Sequence, residues 1–210
     1  MHNGEGSNDP SGPPRWRDTQ RHALREQIAD ASLTLFAGQG YAATTYDQIA
    51  DRAGVSRRTV FNHFPRKRDF LEFWSRRRRD ALAALSEDGK NRRSGAAGTL
   101  RELMAWLADV NEDQPDVARA LVTGWLTEFG AVTEPFPVFE AFRAAVQEGQ
   151  SRGELRADQP SQLIAEVLTA CYTDALERWL GEGDDLPRGR LKDQLWARLD
   201  VIVTGISAGH

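Results

Sequence analysis

The chain has one cysteine, Cys171, in 210 residues, which excludes an internal disulfide and any Cys-rich zinc site and fits a reducing compartment. No apolar run approaches the roughly 20 residues that a membrane-spanning helix needs. Met1 to Pro14 carries no apolar segment of the kind that makes a signal peptide. A cytoplasmic protein with no membrane partner is therefore expected. Strand formers are scarce: Val and Ile total 16 against 47 for Ala and Leu, a balance that predicts an all-α protein. There are only four histidines, His2, His22, His63 and His210, two of them at or beside the termini. No Ser/His/Asp set, HExxH sequence, phosphate-binding glycine loop or paired-carboxylate motif stands out. We expect no catalytic residue, no cofactor and no metal site; an enzyme is the alternative from another class.

An apolar content of 40% is enough for a sizeable core and excludes a disordered or fibrous chain. The formal net charge of −4 argues, as an average, against a nucleic-acid partner. The average hides an asymmetry. Residues 15–80 hold 14 basic and 8 acidic side chains, whereas residues 81–210 hold 13 and 21. One end of the chain is basic and the rest acidic.

Met1 to Pro14, rich in Gly, Asn, Ser and Pro, reads as a disordered tail. From Thr19 to Gly38, Leu24, Ile28, Ala31 and Leu35 recur at helical spacing, with Leu33 and Phe36 as a second buried edge. Two short helical segments follow, then a long one from Lys67 to about Leu85. Ser86 to Gly98, rich in Gly, Ser and charge, reads as a mobile loop. Further helices are expected over Thr99 to Asn111, Asp116 to Phe129, Phe136 to Arg152, Ser161 to Leu180 and Arg190 to Ile206. No internal repeat is found.

The informative stretch runs from Thr45 to Phe64. Thr45 and Gln48 have the spacing of a capping box, so a helix should start there. Gly54 sits where the chain must turn sharply in a left-handed conformation that glycine adopts without a Cβ clash, and Ser56 can then cap a second helix. Ile49, Ala50, Ala53, Val55 and Val60 take the inward positions of two helices crossing steeply, as in a helix-turn-helix. The second helix of that motif enters the major groove of DNA, and here it carries Arg57, Arg58, Thr59 and Asn62, which can bond base edges and phosphates. Either arginine is equally compatible with a phosphate-only or a solvated role, and His63 with a core or capping one.

Residues 20–75 resemble the DNA-binding domain of the tetracycline-repressor (TetR) family of transcriptional regulators. The resemblance rests on Ile49-Ala50-Asp51-Arg52-Ala53-Gly54-Val55-Ser56, then Phe61-Asn62-His63-Phe64 and Lys67. Gly149-Gln-Ser-Arg-Gly-Glu-Leu-Arg156 and Trp179-Leu180 extend it toward the C-terminus. It implies an all-α, nine-helix protomer in which residues 15–66 form the helix-turn-helix domain and residues 67–210 an effector-binding and dimerisation domain. The family's DNA contacts map to Thr45, Ser56, Arg57, Arg58, Thr59, Phe61, Asn62, His63 and Lys67. Many members have a tyrosine where this chain has Phe61, so that hydroxyl contact to phosphate is replaced by apolar contact. The implied homodimer is formed largely by the last two helices, with Leu163, Ile164, Val167, Leu168, Leu176, Leu191, Leu195, Leu199, Ile202 and Ile206 as the expected interface.

Independently of the family, Lys67 at the start of the long helix makes a natural phosphate clamp, and the same helix links the two halves. The C-terminal part offers Trp74, Met104, Trp106, Trp125, Phe129, Phe139, Phe142 and Cys171 as candidate pocket residues. Each is also compatible with plain core packing. Arg76 to Arg79 fan round most of a helix, and the stripe Leu71, Trp74, Leu82, Leu85 puts Arg78 on the apolar face. Three roles stand open for it: an internal acidic partner, a snorkelling side chain, or the anchor of an acidic effector with an apolar body. The expected protein is a ligand-responsive, homodimeric DNA-binding regulator, more a repressor than an activator, with double-stranded operator DNA and a small-molecule effector as partners. A helical interaction module without DNA binding is the remaining alternative.

Overall fold

The computed structural model describes residues 14–92, 95–130, 138–183 and 187–207. Among them are nine helices and no strand: α1 (Pro14–Gln39), α2 (Tyr46–Ala53), α3 (Arg57–His63), α4 (Arg68–Arg92), α5 (Gly95–Asp113), α6 (Pro115–Phe129), α7 (Phe139–Ser151), α8 (Ser161–Gly181) and α9 (Arg190–Ile206). The expected tail, apart from Pro14, lies outside the described residues, as does Phe136, the expected start of the seventh helix.

Two expected element bounds are corrected. The first helix does not begin at Thr19 but at Pro14, and it runs to Gln39. The expected loop from Ser86 to Gly98 is largely helical: α4 continues to Arg92 and α5 begins at Gly95. Packing overrides composition there, because Leu82 and Ser86 of α4 and Ala96, Thr99 and Leu100 of α5 are all buried. Gly95 takes φ +66° as the first residue of α5, and the Ala96 amide donates to the Glu154 carboxylate, which supplies an acceptor for the new helix's free N–H.

The apolar side chains form two cores. The smaller gathers Ile28, Phe36, Ile49, Ala53, Val60 and Phe64 from α1 to α3 with Phe70 and Leu71 of α4 and Ala120 of α6. The larger holds Leu82 of α4 with residues of α5 to α9, including Leu103, Met104, Phe142, Tyr172 and Trp179. Helix α4 thus begins in one core and ends in the other, and α6 packs on both α1 and α4. The helix-turn-helix therefore rests on a platform that belongs to the C-terminal half.

The apolar stripes of α8 and α9 are used within the chain. Ile164, Leu168, Leu176, Leu191, Leu195 and Leu199 are all at most 5% exposed, so they build the protomer's own core. This corrects their assignment to an intersubunit face; the large apolar residues those helices expose are Leu163, Val167 and Val201, with Ile202 and Ile206 partly buried against the larger core. No described helix is long and apolar enough to cross a membrane.

Candidate functional site

Local rules set the recognition element. Thr45 caps α2 with both arms of a capping box: its side chain accepts from the Gln48 amide at 3.3 Å, and Gln48 Oε1 accepts from the Thr45 amide at 2.9 Å. Gly54 closes α2 in the left-handed region, φ 65° and ψ 33°, and its N–H bonds back to the helix carbonyls. Ser56 then caps α3, accepting from the Thr59 amide at 3.1 Å. Two further bonds lock the pair from behind. Tyr46 Oη of α2 donates to the Phe64 carbonyl at 2.9 Å, and Gln27 Nε2 of α1 donates to the Ala53 carbonyl at 2.8 Å.

With Val60 fully buried, α3 turns its opposite face outward. Arg57, Arg58, Phe61 and Asn62 are exposed, while Thr59 and His63 are half-buried. Arg58, Phe61 and Asn62 stand at i, i+3 and i+4, so they form one contiguous patch. Phe61 is 56% exposed, a large apolar ring held in water beside cationic and amide groups. Arg57 reaches Asp47 of α2 at 3.4 Å, both side chains being mostly exposed, so the pair is weak and leaves the guanidinium exchangeable. Thr45 and Ser56 stand exposed at the two helix starts. Burial, with Arg21 and Arg25 nearby, holds the His63 imidazole below its ordinary pKa.

Lys67 does not open the long helix. It precedes Arg68, the first residue of α4, in a turn closed by Asp69, whose carboxylate accepts from the Arg66 amide at 2.8 Å. Its ammonium donates to the Ala42 carbonyl at 3.1 Å and lies 4.6 Å from the centroid of the Tyr41 ring. Burial lowers its pKa. Lys67 is thus braced against Tyr41 and Ala42 in the α1–α2 connection, instead of being a clamp at a bare helix end.

Behind this element, α1, α4, α5 and α6 enclose a cleft of about 460 Å³, within the usual range of small-molecule sites. Of the expected pocket residues, Trp74, Arg78 and Trp106 line it. Trp125 lines a small adjoining cavity of about 40 Å³ that shares Trp74 and Arg78. The others lie elsewhere. Met104 and Phe142 are fully buried in the larger core and Phe139 packs against it, whereas Phe129 lies against Trp125 with ring centroids 4.4 Å apart. Cys171 is partly buried on α8, and burial raises its thiol pKa.

An acidic partner for Arg78 is not what the structure holds among the described residues. Arg78 Nη2 donates to Asn111 Oδ1 at 3.4 Å, and Asn111 Nδ2 donates to the Leu107 carbonyl and to Tyr172 Oη at 3.1 Å. The guanidinium therefore ends a chain of neutral partners leading into the core. Three carboxylates at the end of α5 are turned away toward the start of α9: Asp109 pairs with Lys192, Asp113 with Arg188, and Glu112 accepts from the Gly189 and Leu191 amides.

The sequence reading missed the wall contributed by α1. Asp30 and Leu33 line the cleft, and Asp30 pairs with Arg77 at 3.6 Å. It also missed Tyr41, which docks on α6 over Gly124; a lone glycine inside a helical pattern was the available signal of a close approach.

The profile of the bacterial regulatory proteins of the tetR family matches residues 28–72. Over 209 residues the chain is 27% identical to an HTH-type transcriptional repressor of Mycobacterium tuberculosis, covering 92% of this chain and 98% of the relative. Over 212 residues it is 25% identical to the HTH-type transcriptional repressor KstR2 of Rhodococcus jostii, covering 94% and 98%. Among solved structures, FadR of Thermus thermophilus, a TetR-family repressor in complex with lauroyl-CoA, superimposes with a TM-score of 0.67 at 25% identity, over 89% of this chain and 96% of that one. SmeT, the repressor of a Stenotrophomonas maltophilia multidrug efflux pump, shares the fold with a TM-score of 0.69 at 22% identity, over 89% and 92%.

Proposed function

We propose that this chain, which matches the bacterial regulatory proteins of the tetR family over residues 28–72 and resembles a repressor of that family along most of its length, acts as a cytoplasmic homodimeric repressor, released from its operator by a small effector. Its DNA contacts are Thr45, Ser56, Arg57, Arg58, Thr59, Phe61, Asn62, His63 and Lys67. The observation that carries the reading is the outer face of α3: Arg58, Phe61 and Asn62 lie exposed on one patch while Val60 and the Tyr46–Phe64 bond fix the helix from behind. Arg58 can bond the acceptors of a guanine, Asn62 those of an adenine, and Phe61 can meet a thymine methyl. No catalytic role is assigned to any of these residues.

Residues 15–66 serve as the DNA-binding unit and residues 67–210 as the effector and dimer unit, coupled through α4 and α6. Because α4 begins in the smaller core and ends in the larger, tilting it displaces α3. In a dimer the two recognition helices must meet half-sites about 34 to 36 Å apart, so a small tilt breaks the register. The effector enters the cleft of α1, α4, α5 and α6, with Trp74, Arg78 and Trp106 in contact.

Fluorescence anisotropy with duplex DNA from upstream of the protein's own coding sequence tests the reading. The expected result is saturable binding, tighter than to a scrambled duplex of equal length, that weakens linearly in log affinity against log salt. Binding without sequence preference, or none, would overturn it.

A further inference from the structure

We propose that the cleft of α1, α4, α5 and α6 is a site for an aromatic monocarboxylate, bound by Arg77 and Arg78, and that the ligand loosens α1 by taking Arg77 from Asp30. The proposal rests on the reading of the protein as an effector-released DNA binder and adds the ligand's chemistry and the contact it breaks.

The charge balance of the cleft comes first. Arg77, Arg78 and Asp30 are the charged residues lining it, which leaves one positive charge unmatched. Asp109, Glu112 and Asp113 at the end of α5 are engaged with residues 188–192 at the start of α9. Arg78 cannot shed its proton, and a single 3.4 Å bond to a neutral amide uses only one of its five donors. A carboxylate is the partner whose geometry fits a guanidinium in two parallel bonds.

The walls define the rest of the ligand. Trp74 and Trp106 face the space together with Leu33, Val110 and Leu121, surfaces that favour a flat aromatic body. The volume of about 460 Å³ admits a ring system of one or two rings with its acid group.

The same geometry supplies the release step. Arg77 stacks over Trp74, 4.9 Å from the ring centroid, and reaches Asp30 of α1 at 3.6 Å. Both members of that pair are about half exposed or more, so the link is weak and open to exchange. A carboxylate seated between Arg77 and Arg78 satisfies both guanidinium groups and leaves Asp30 without its cation. Helix α1 is bonded to the end of α2 through Gln27 and Ala53, so loss of this one polar tie between α1 and α4 loosens the mount of the recognition helix while their shared core stays packed.

Titration of the full-length protein with 1-naphthoate and with its uncharged analogue 1-naphthylmethanol, followed by tryptophan emission, tests the site without DNA. Wild type should bind the acid at least about tenfold more tightly than the alcohol, since hydrogen bonds between charged partners exceed neutral ones by that margin. Arg77→Met and Arg78→Met should each remove most of that preference and leave the alcohol unchanged, Arg78→Lys should restore part of it, and Asp30→Asn should tighten the acid. Equal affinity for acid and alcohol in wild type, or an undiminished preference in both Met variants, would overturn the proposal. Circular dichroism of each variant separates loss of the site from loss of the fold. In the DNA arm, naphthoate should weaken binding to the upstream duplex about two- to fivefold in wild type, the range an exposed ion pair can supply, and Arg77→Met should abolish that response. Naphthoate binding with DNA affinity unmoved would overturn the release step. Preference for the acid in a protein that shows no salt-dependent DNA binding would support the site and overturn the regulatory reading instead.

Discussion

Tyr41, in the turn after α1, donates its phenolic proton to Glu128 Oε1 of α6 at 2.9 Å. Burial and the Glu128 carboxylate push the phenol far above its ordinary pKa, so it remains a donor at every physiological pH. Its ring rests on Gly124, where a Cβ would come within 2.9 Å of Tyr41 Cγ, and Lys67 lies over it. A proposed DNA contact is thereby braced on a ring that α6 holds in place. Tyr41→Phe keeps the ring and removes the bond to a charged acceptor, so urea unfolding should show a loss of about 1 to 2 kcal/mol. An unchanged midpoint would show that the bond does not hold the two halves together.

Two glycine replacements separate backbone strain from crowding. At Gly54, φ is +65° and a Cβ would meet nothing within 4 Å, so Gly54→Ala should cost about 1 to 2 kcal/mol from left-handed strain alone. At Gly149 an added Cβ would lie 2.4 Å from the Ala96 Cβ and 2.8 Å from Leu155 Cδ1. Gly149→Ala should therefore cost about 1 to 3 kcal/mol or more through overpacking. Pairing it with Ala96→Gly should recover part of the loss, whereas Ala96→Gly should not help Gly54→Ala. Thermal unfolding of the four variants checks both signs.

The helix-turn-helix was legible because its signals are local. The capping pair Thr45 and Gln48, the turn glycine Gly54 and the cap Ser56 each act within about four residues, and each is where the sequence placed it. The start of α5 was not legible, because the acceptor for the Ala96 amide is Glu154, 58 residues on. Periodicity on α8 and α9 says that one face is buried without saying against what, and the family resemblance assigns that face to a second subunit, whereas Leu168 and Leu195 are buried within the protomer. Arg78 shows the same limit. Its inward direction followed from the helical repeat, but its neutral partner Asn111 sits on another helix.

His63 should give stability and DNA affinity opposite pH dependences. Its folded-state pKa lies below the unfolded value because of burial and the nearby Arg21 and Arg25. The unfolded chain therefore binds the extra proton more readily, and stability contributed above about pH 6.5 is lost as pH falls below it. Phosphates placed beside His63 favour the charged imidazolium, so DNA binding takes up a proton and tightens as pH falls. His63→Asn should flatten both trends, seen in urea midpoints and in anisotropy between pH 8 and 5.5. Parallel trends in wild type and variant would remove His63 from the interface.

The recognition face and Lys67 should fail differently. Arg58→Ala and Asn62→Ala remove groups able to read base edges, so each should cost about 1 to 3 kcal/mol on the correct duplex and little on scrambled DNA. Lys67→Ala should weaken both duplexes alike and reduce the salt slope by about one phosphate contact. Because Lys67 also bonds the Ala42 carbonyl, its variant should lose stability as well, which Arg58→Ala should not. Equal losses on both duplexes for Arg58→Ala would make it a phosphate contact.

The dimer should depend on the residues that the protomer leaves uncovered. With Ile164 and Leu168 buried, α8 still exposes Leu163 and Val167, 46% and 45% accessible and one turn apart, and α9 exposes Val201 at 75%. Apolar side chains placed singly on a surface need no explanation, but a pair at i and i+4 makes a stripe that a second copy can cover. Leu163→Glu combined with Val167→Glu places two charges on that stripe without touching the core. Sedimentation should then report a monomer with unchanged helix content. DNA affinity should fall by about two to four orders of magnitude, because two tethered half-site contacts become one. A dimer that survives these charges would place the interface elsewhere. A monomer that keeps full affinity would mean that one helix-turn-helix suffices for the operator.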